Sequence, residues 1–352
     1  MGRLEQTGPD LGIWFLGSKS ASVFRCEIPI IGEAKAVEQL CGRLPSHIGK
    51  PGHIEQLARR AVRLVRIEHE FAFISYSRVE TVEDVSQIEH PVVRAVLTEE
   101  KHSDPTDFSI QADLPASAGL GSSSAFTVGF QHLVWALKGV DVSPTALAER
   151  AIHIEQSLLG ERVGVQDQMH AAHGGFNRFD FSGDTNRISP MGLSADDLSE
   201  LSRWMVLVYT GRKRHASEVL DEQMENTVGG SVDEELAAMK QLVDAAEQVI
   251  RNTAAACDIA PGLAPLLSES WDLKRRLSAR ISDVEIDSLY DSGIEAGALA
   301  GKLCGAGGGG FLLMIVPPDR REGFLKTMGR RRCVDFGIDS RGSTILRADA
   351  PD

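Results

Sequence analysis

The run Pro115-Ala116-Ser117-Ala118-Gly119-Leu120-Gly121-Ser122-Ser123-Ser124-Ala125 constrains this chain more than any other stretch. It follows Asp107–Leu114, which alternates like a strand. It precedes an apolar run with helical spacing through Phe126, Val128, Phe130, Leu133, Val134 and Leu137. Gly119 and Gly121 permit tight backbone and the close approach of a ligand. Ser122, Ser123 and Ser124 then place hydroxyls and free N–H groups at a helix N-terminus, where unpaired donors and the helix dipole favour an anion. The run is not a Walker loop, because no Lys stands in it. It is not a dinucleotide fingerprint either, because Ser124 occupies the third Gly position.

A second cluster, Lys302-Leu303-Cys304-Gly305-Ala306-Gly307-Gly308-Gly309-Gly310-Phe311, has glycine at five of the six positions from Gly305 to Gly310. It is expected between a helix and the apolar strand Gly310–Val316. Such a loop is entropically costly and makes sense where backbone must pack against a ligand or another loop. Between the clusters lie two acidic residues. Glu155 stands among Ile152, Ile154 and Leu158, in a helix that Ser143 caps and Pro144 opens and that is expected to run to Leu159. Asp167 starts a short helix over 167–172. Phosphoryl transfer needs hard oxygen ligands for Mg²⁺ and a carboxylate to orient or deprotonate the attacking hydroxyl. Asp167 as a simple helix cap is the competing reading of the same residue. His170 and His173 lack a third metal ligand at a convincing spacing and read as surface or loop histidines. Cys304 reads as small-residue packing. Arg212, Lys213 and Arg214 follow the strand Trp204–Thr210 and suit a substrate phosphate, or else a solvated helix start.

Composition narrows the partners. The 352 residues carry a formal charge of -13, which argues against nucleic acid as a partner. No apolar run reaches membrane-spanning length, and the first residues carry no secretory signal pattern. Five cysteines without a CxxC pair fit reduced thiols in a cytoplasmic protein. The charge is uneven. Residues 1–68 hold ten Lys and Arg against seven Asp and Glu, and the remainder holds 27 against 43. The first segment has poor patterning, with a helical look only over Ile54–Ile67. From Phe71 a strand pattern begins (Phe71–Val79). Further helices are expected near 214–226, 232–255, 263–279, 283–296 and 320–331, with strands at Phe176–Phe181 and Thr344–Leu346. The polar stretch Ser182–Leu198 reads as a domain boundary. Strands and helices mix without strict alternation, which predicts an α+β fold in layers.

The order and spacing of PASAGLGSSSA, VQDQ and GAGGGGF resemble the GHMP kinases. The segments YSRVE, IEHPVVRAVL, VQDQMHAAHGGFNRFDF and YTGRKRHASEVL resemble, more narrowly, the heptose 7-phosphate kinase branch. The resemblance runs from about Glu70 to Leu346. It implies an α+β architecture of two domains: an N-terminal domain like domain 2 of ribosomal protein S5 over 69–190, and a ferredoxin-like C-terminal domain over 191–352. It implies ATP and Mg²⁺ as cofactors and a small-molecule sugar phosphate as substrate. Pro115, Ser117, Ala118, Gly119, Leu120, Gly121, Ser122, Ser123, Ser124 and Ala125 would wrap the ATP phosphates. Ser123 and Glu155 would hold Mg²⁺, and Asp167 would position or deprotonate the hydroxyl. Gly164, Gln168, Arg214, Gly307 and Gly308 would lie on the substrate side. The implied reaction moves the γ-phosphate of ATP to the anomeric hydroxyl of D-glycero-D-manno-heptose 7-phosphate. Other sugars of the family, or binding without turnover, are the alternatives. The branch opens with R-x-x-F-x-G-G-G-T-D, and nothing in residues 1–68 matches it. A shifted reading frame or rearranged start is the expectation for that segment.

Overall fold

The computed structural model describes residues 64–65, 72–76, 78–102, 106–110, 119–182, 185–212 and 216–345. The first part of the chain builds a four-stranded sheet. Its strands are β1 (Leu64–Val65), β2 (Ala72–Ser75), β3 (Val79–Val82) and, after helix α1 (Pro91–Glu99), β4 (Asp107–Ser109). The spatial order is β1-β4-β2-β3. Ile74 pairs with Phe108 in parallel, while β1 runs antiparallel to β4, with Leu64 opposite Phe108. Leu64–Val65 is therefore a strand where the sequence suggests a helix. Pairing with β4 satisfies its backbone groups, and this overrides the local pattern. The sequence's single strand over Phe71–Val79 is two, β2 and β3, paired in antiparallel register from Ala72 and Val82 to Ser75 and Val79.

Helices α2 (Ser122–Leu137) and α3 (Pro144–Ile152) follow, and α3 continues as a π-helical turn over His153–Leu158. Ser143 caps α3, its hydroxyl accepting from Ala146 N at 3.2 Å. Next come α4 (Gln166–His173) and a hairpin of β5 (Asn177–Ser182) and β6 (Thr185–Pro190). Ile74, Val93, Val96, Phe108, Phe130, Val134 and Ile154 form the core between the first sheet and its helices. Val128, Leu147, Met169 and Phe179 form a second core where α2, α3 and α4 meet the hairpin.

The expected boundary stretch, 182–198, is largely ordered. It contains β6 and leads into α5 (Ala195–Arg203), whose cap is reciprocal between Ser194 and Asp197. Then come β7 (Met205–Tyr209), α6 (Ala216–Val228), α7 (Asp233–Asn252), α8 (Ala256–Leu277), α9 (Val284–Glu295), β8 (Ala300–Leu303), β9 (Phe311–Ile315), α10 (Arg321–Met328) and β10 (Cys333–Val334). The second sheet has the order β10-β7-β9-β8, with Met205 opposite Ile315 and Leu303 opposite Leu312. Helix α8 starts well before 263 and runs through Pro261 and Pro265. Thr344 and Ile345 are not in a strand. The fold is α+β, as expected. No helix among the described residues is long and apolar enough to cross a membrane.

Candidate active site

The site begins at the head of α2. Gly121 is its N-cap in the left-handed region, at φ 69°, and among the described residues no side chain caps this end. The first N–H groups of a 16-residue helix are thus left for another acceptor. Gly119 is also left-handed, at φ 72°. Asp167, the second residue of α4, lays its carboxyl against Gly121. A Cβ at Gly121 would lie 3.0 Å from Asp167 Cγ and 3.1 Å from Oδ2. Glycine is what lets a carboxylate reach this helix terminus. Burial raises the Asp167 pKa, and the charge of Lys274 opposes that rise.

Glu155 lies in the π-helical turn and is 1% exposed. Its Oε2 accepts from Ser124 Oγ at 2.9 Å and from the Gln168 amide. Among the described residues Oε1 is buried without a partner. Burial raises this pKa in spite of these donors. A hard, orphaned carboxylate oxygen beside the first turn of α2 fits the demands of Mg²⁺, which takes one or two protein oxygens together with phosphates.

The second Gly-rich loop closes the site from the other sheet. It joins two strands, β8 and β9, rather than a helix and a strand. Its backbone touches the first loop directly. A Cβ at Gly305 would lie 2.7 Å from Gly119 Cα, and one at Gly119 would lie 3.1 Å from Cys304 O. Behind the loop are two buried lysines. Lys274 of α8, 4% exposed, donates to Leu303 O at 3.1 Å and to Gly305 O. Burial pulls its pKa down to about 8, with Cys304 and Asp167 resisting. Lys302 donates to Ser270 Oγ at 2.7 Å, and burial and Lys274 hold its pKa well below the usual range. Cys304 is buried and its thiol is pushed up to about 11, which suits packing rather than nucleophilic attack.

The structure thus brings Gly119, Gly121, Ser122, Ser124, Glu155, Asp167 and the Gly305 loop together. Leu120 and Ala125 are buried beside them. Several expected site residues sit differently. Ser123 is exposed, and its neighbour Ser124 makes the bond to Glu155. Gln168 is buried, and its amide serves Glu155 rather than facing a substrate. Gly307 and Gly308 are buried against another loop: Gly308 N donates to Ile281 O at 2.8 Å, and a Cβ at Gly307 would meet Ile281 Cα at 2.9 Å. His170, expected at the surface, is buried with its ring 4.4 Å from that of Phe179. Gly164 is exposed just before α4. Arg212 ion-pairs with Asp283 and Glu285. Pro115, Ser117, Ala118, Lys213, Arg214 and nearly all of residues 1–68 lie outside the described residues.

The sequence reading missed Lys274. Its signal was available. Leu263, Leu267, Trp271, Lys274 and Leu277 recur at three- and four-residue steps, so Lys274 stands on the apolar stripe of α8.

Residues 88–175 match the GHMP kinases N terminal domain, and residues 260–335 match the GHMP kinases C terminal domain. The chain is 30% identical over 245 residues to the D-glycero-alpha-D-manno-heptose 7-phosphate kinase of Campylobacter jejuni, covering 68% of this chain and 70% of that one. It is 27% identical over 232 residues to the mevalonate kinase of Thermococcus sibiricus, covering 65% and 66% of the two chains. The crystal structure of a D-glycero-D-manno-heptose 1-phosphate kinase from Bacteroides thetaiotaomicron shares the fold at a TM-score of 0.62 and 20% identity, over 82% of this chain and 87% of that one. Two Gly-rich loops that touch, with the Asp167 carboxyl against Gly121 of the first, sit in a chain that belongs to the GHMP kinase family, whose members transfer phosphoryl groups to alcohol acceptors.

Proposed function

We propose that this chain is an ATP-dependent sugar kinase that phosphorylates the anomeric hydroxyl of D-glycero-D-manno-heptose 7-phosphate. The observation that carries the chemistry is the Asp167 carboxyl held against Gly121 at the uncapped head of α2. The substrate choice rests on the likeness to the Campylobacter heptose 7-phosphate kinase.

In this reading residues 69–190 bind the nucleotide and 191–352 form the second domain. The loop Pro115–Ala125 receives the ATP phosphates through its N–H groups, so a protein of net charge -13 holds an anion without a basic face. Glu155, with the hydroxyl of Ser124 or Ser123, would hold Mg²⁺, which supplies charge neutralisation at the phosphates when bound. Asp167 accepts the proton of the sugar hydroxyl. Its pKa, raised by burial, suits a base that must take a proton as the O–P bond forms. The exposed backbone at Gly164 borders the sugar, and Arg214 is assigned to the 7-phosphate.

Coupled ADP release with heptose 7-phosphate tests the proposal. The wild type should turn over, and Asp167→Asn should lose about 10²- to 10⁴-fold in kcat, the range for removing a general base. Equal turnover by wild type and Asp167→Asn would refute the role of Asp167, and no ADP release above that variant's background would refute the kinase assignment.

A further inference from the structure

We infer that Lys274 is a positioning residue for the transfer step: its ammonium ties the second Gly-rich loop to the phosphate loop and keeps a positive charge behind Asp167. The inference rests on the kinase reading and deepens it.

A lysine ammonium on the apolar stripe of a helix is costly to bury unless it is paired. Among the described residues Lys274 forms no salt bridge. Its donors go instead to the carbonyls of Leu303 and Gly305, at the end of β8 and the start of the Gly-rich loop. Those carbonyls belong to the part of the loop that meets Gly119 backbone to backbone. The loop from Gly305 to Gly310 has one side chain larger than hydrogen, the methyl of Ala306, so side-chain packing holds it weakly. Backbone bonds fix the far half of the loop, where Gly308 N donates to Ile281 O at 2.8 Å and Gly310 N to Arg212 O at 3.1 Å, and Lys274 supplies the anchor at its start.

Charge adds a second element. The titratable groups around this ammonium are Cys304, Asp167 and Lys302, and the two loops connect it to Asp167: Gly305, whose carbonyl it holds, meets Gly119, and Asp167 lies against Gly121. Cys304 is held as a neutral thiol, and Lys302 is engaged by Ser270. Asp167 is the carboxylate whose charge Lys274 balances. A cation fixed in a site of low dielectric acts on charge that shifts during reaction, and it needs no reorganisation to do so. Replacing an anchor alone and replacing a charge alone therefore have different consequences.

The test compares Lys274→Arg, Lys274→Gln and Lys274→Met by steady-state kinetics with ATP and heptose 7-phosphate, and by amide hydrogen exchange across 119–125 and 303–310. Lys274→Arg should keep kcat within about 10-fold of wild type. Lys274→Gln, which keeps N–H donors without the charge, and Lys274→Met should each lose about 100-fold in kcat, as for loss of one preorganised electrostatic partner. KM for ATP should change little. Exchange over both loops should rise in Lys274→Met. A Gln variant as active as wild type would overturn the charge role, and unchanged exchange in Lys274→Met would overturn the anchoring role. If Lys274→Met does not fold, the Arg and Gln variants decide the kinetics, and Lys274→Ala, which also removes the donors, decides the anchor: unchanged exchange over both loops in that variant overturns the anchoring role. If wild type itself releases no ADP, the kinase reading fails separately, and the exchange measurements still decide the anchor.

Discussion

At the scale of single residues, Gly121 joins a backbone requirement to the site. It is left-handed, and any Cβ there would press on the Asp167 carboxyl. Gly121→Ala should therefore cost stability and function by separate routes. The left-handed backbone costs about 1–2 kcal/mol for an L-residue. The contact at 3.0 Å adds displacement of Asp167 from the helix head. Calorimetry should show a lower Tm, and ADP release should fall further than that loss alone explains. A variant with reduced Tm but wild-type kcat would mean that Asp167 need not touch Gly121. The glycines and Asp167 were legible in the sequence because each carries chemistry in its type and position. The choice between Ser123 and Ser124 was not. Neighbouring serines on a helix differ by about 100° in direction, and only the packing of α2 against the π-helical turn shows which one meets Glu155. Lys274 was hidden for a related reason. In the run Asp272-Leu273-Lys274-Arg275-Arg276 it reads as one of several solvated charges unless its place on the apolar stripe of α8 is read with it, and burial agrees with the stripe.

At the scale of elements, α4 bears the most unusual environment. It presents Asp167 at one end and buries His170 one turn on, with both ring nitrogens unpartnered and Phe179 against the ring. Burial holds the His170 pKa down at about 3. In the unfolded chain a histidine titrates near 6.5. Between those values the unfolded state binds more protons than the folded state, so stability rises with pH in that window and falls on acidification. The slope should approach about 1.4 kcal/mol per pH unit from this residue. Chemical denaturation at pH 7, 6, 5 and 4 measures it, and His170→Leu should flatten the dependence. A slope identical in the variant would show that other groups control the acid limb. The helices were the most legible elements, since α2, α3, α7 and α9 combine apolar spacing with caps or breakers. Strand β8 was not legible. All four of its residues, Ala300, Gly301, Lys302 and Leu303, are buried, so it shows no alternation. Missing it turned a hairpin into an apparent helix-to-strand loop. The β5–β6 hairpin was half-missed because Thr185–Pro190 is mostly polar and belongs to a two-stranded sheet.

At the scale of the whole molecule, the segment after β10 links the two sheets' cores. Phe336 and Ile338 pack on the core around Phe176, Leu201 and Ile315. Gly175 N donates to Asp339 O at 2.6 Å, and Ser343 Oγ meets His132 Nδ1 at 2.9 Å. Ile345 packs against the first core, with Ile74 and Phe108. The segment thus passes behind α4 and α2, which together present Asp167 and the phosphate-binding helix head. Its seat on α4 is backbone against backbone: a Cβ at Gly342 would run into the carbonyl of Ala172, and one at Gly174 into the backbone of Arg341. Gly342→Val should therefore lift the segment, whereas Ser343→Ala should remove a single hydrogen bond. Overpacking of this kind costs about 1–3 kcal/mol, and one neutral hydrogen bond about 0.5–1.5 kcal/mol. Hydrogen exchange over 166–173 should accelerate in Gly342→Val much more than in Ser343→Ala. Turnover should fall with it, because α4 carries Asp167 near its start and would have lost its seat at its end. If α4 keeps wild-type protection in Gly342→Val while Tm drops, the segment stabilises the second core alone and does not hold the catalytic helix in place.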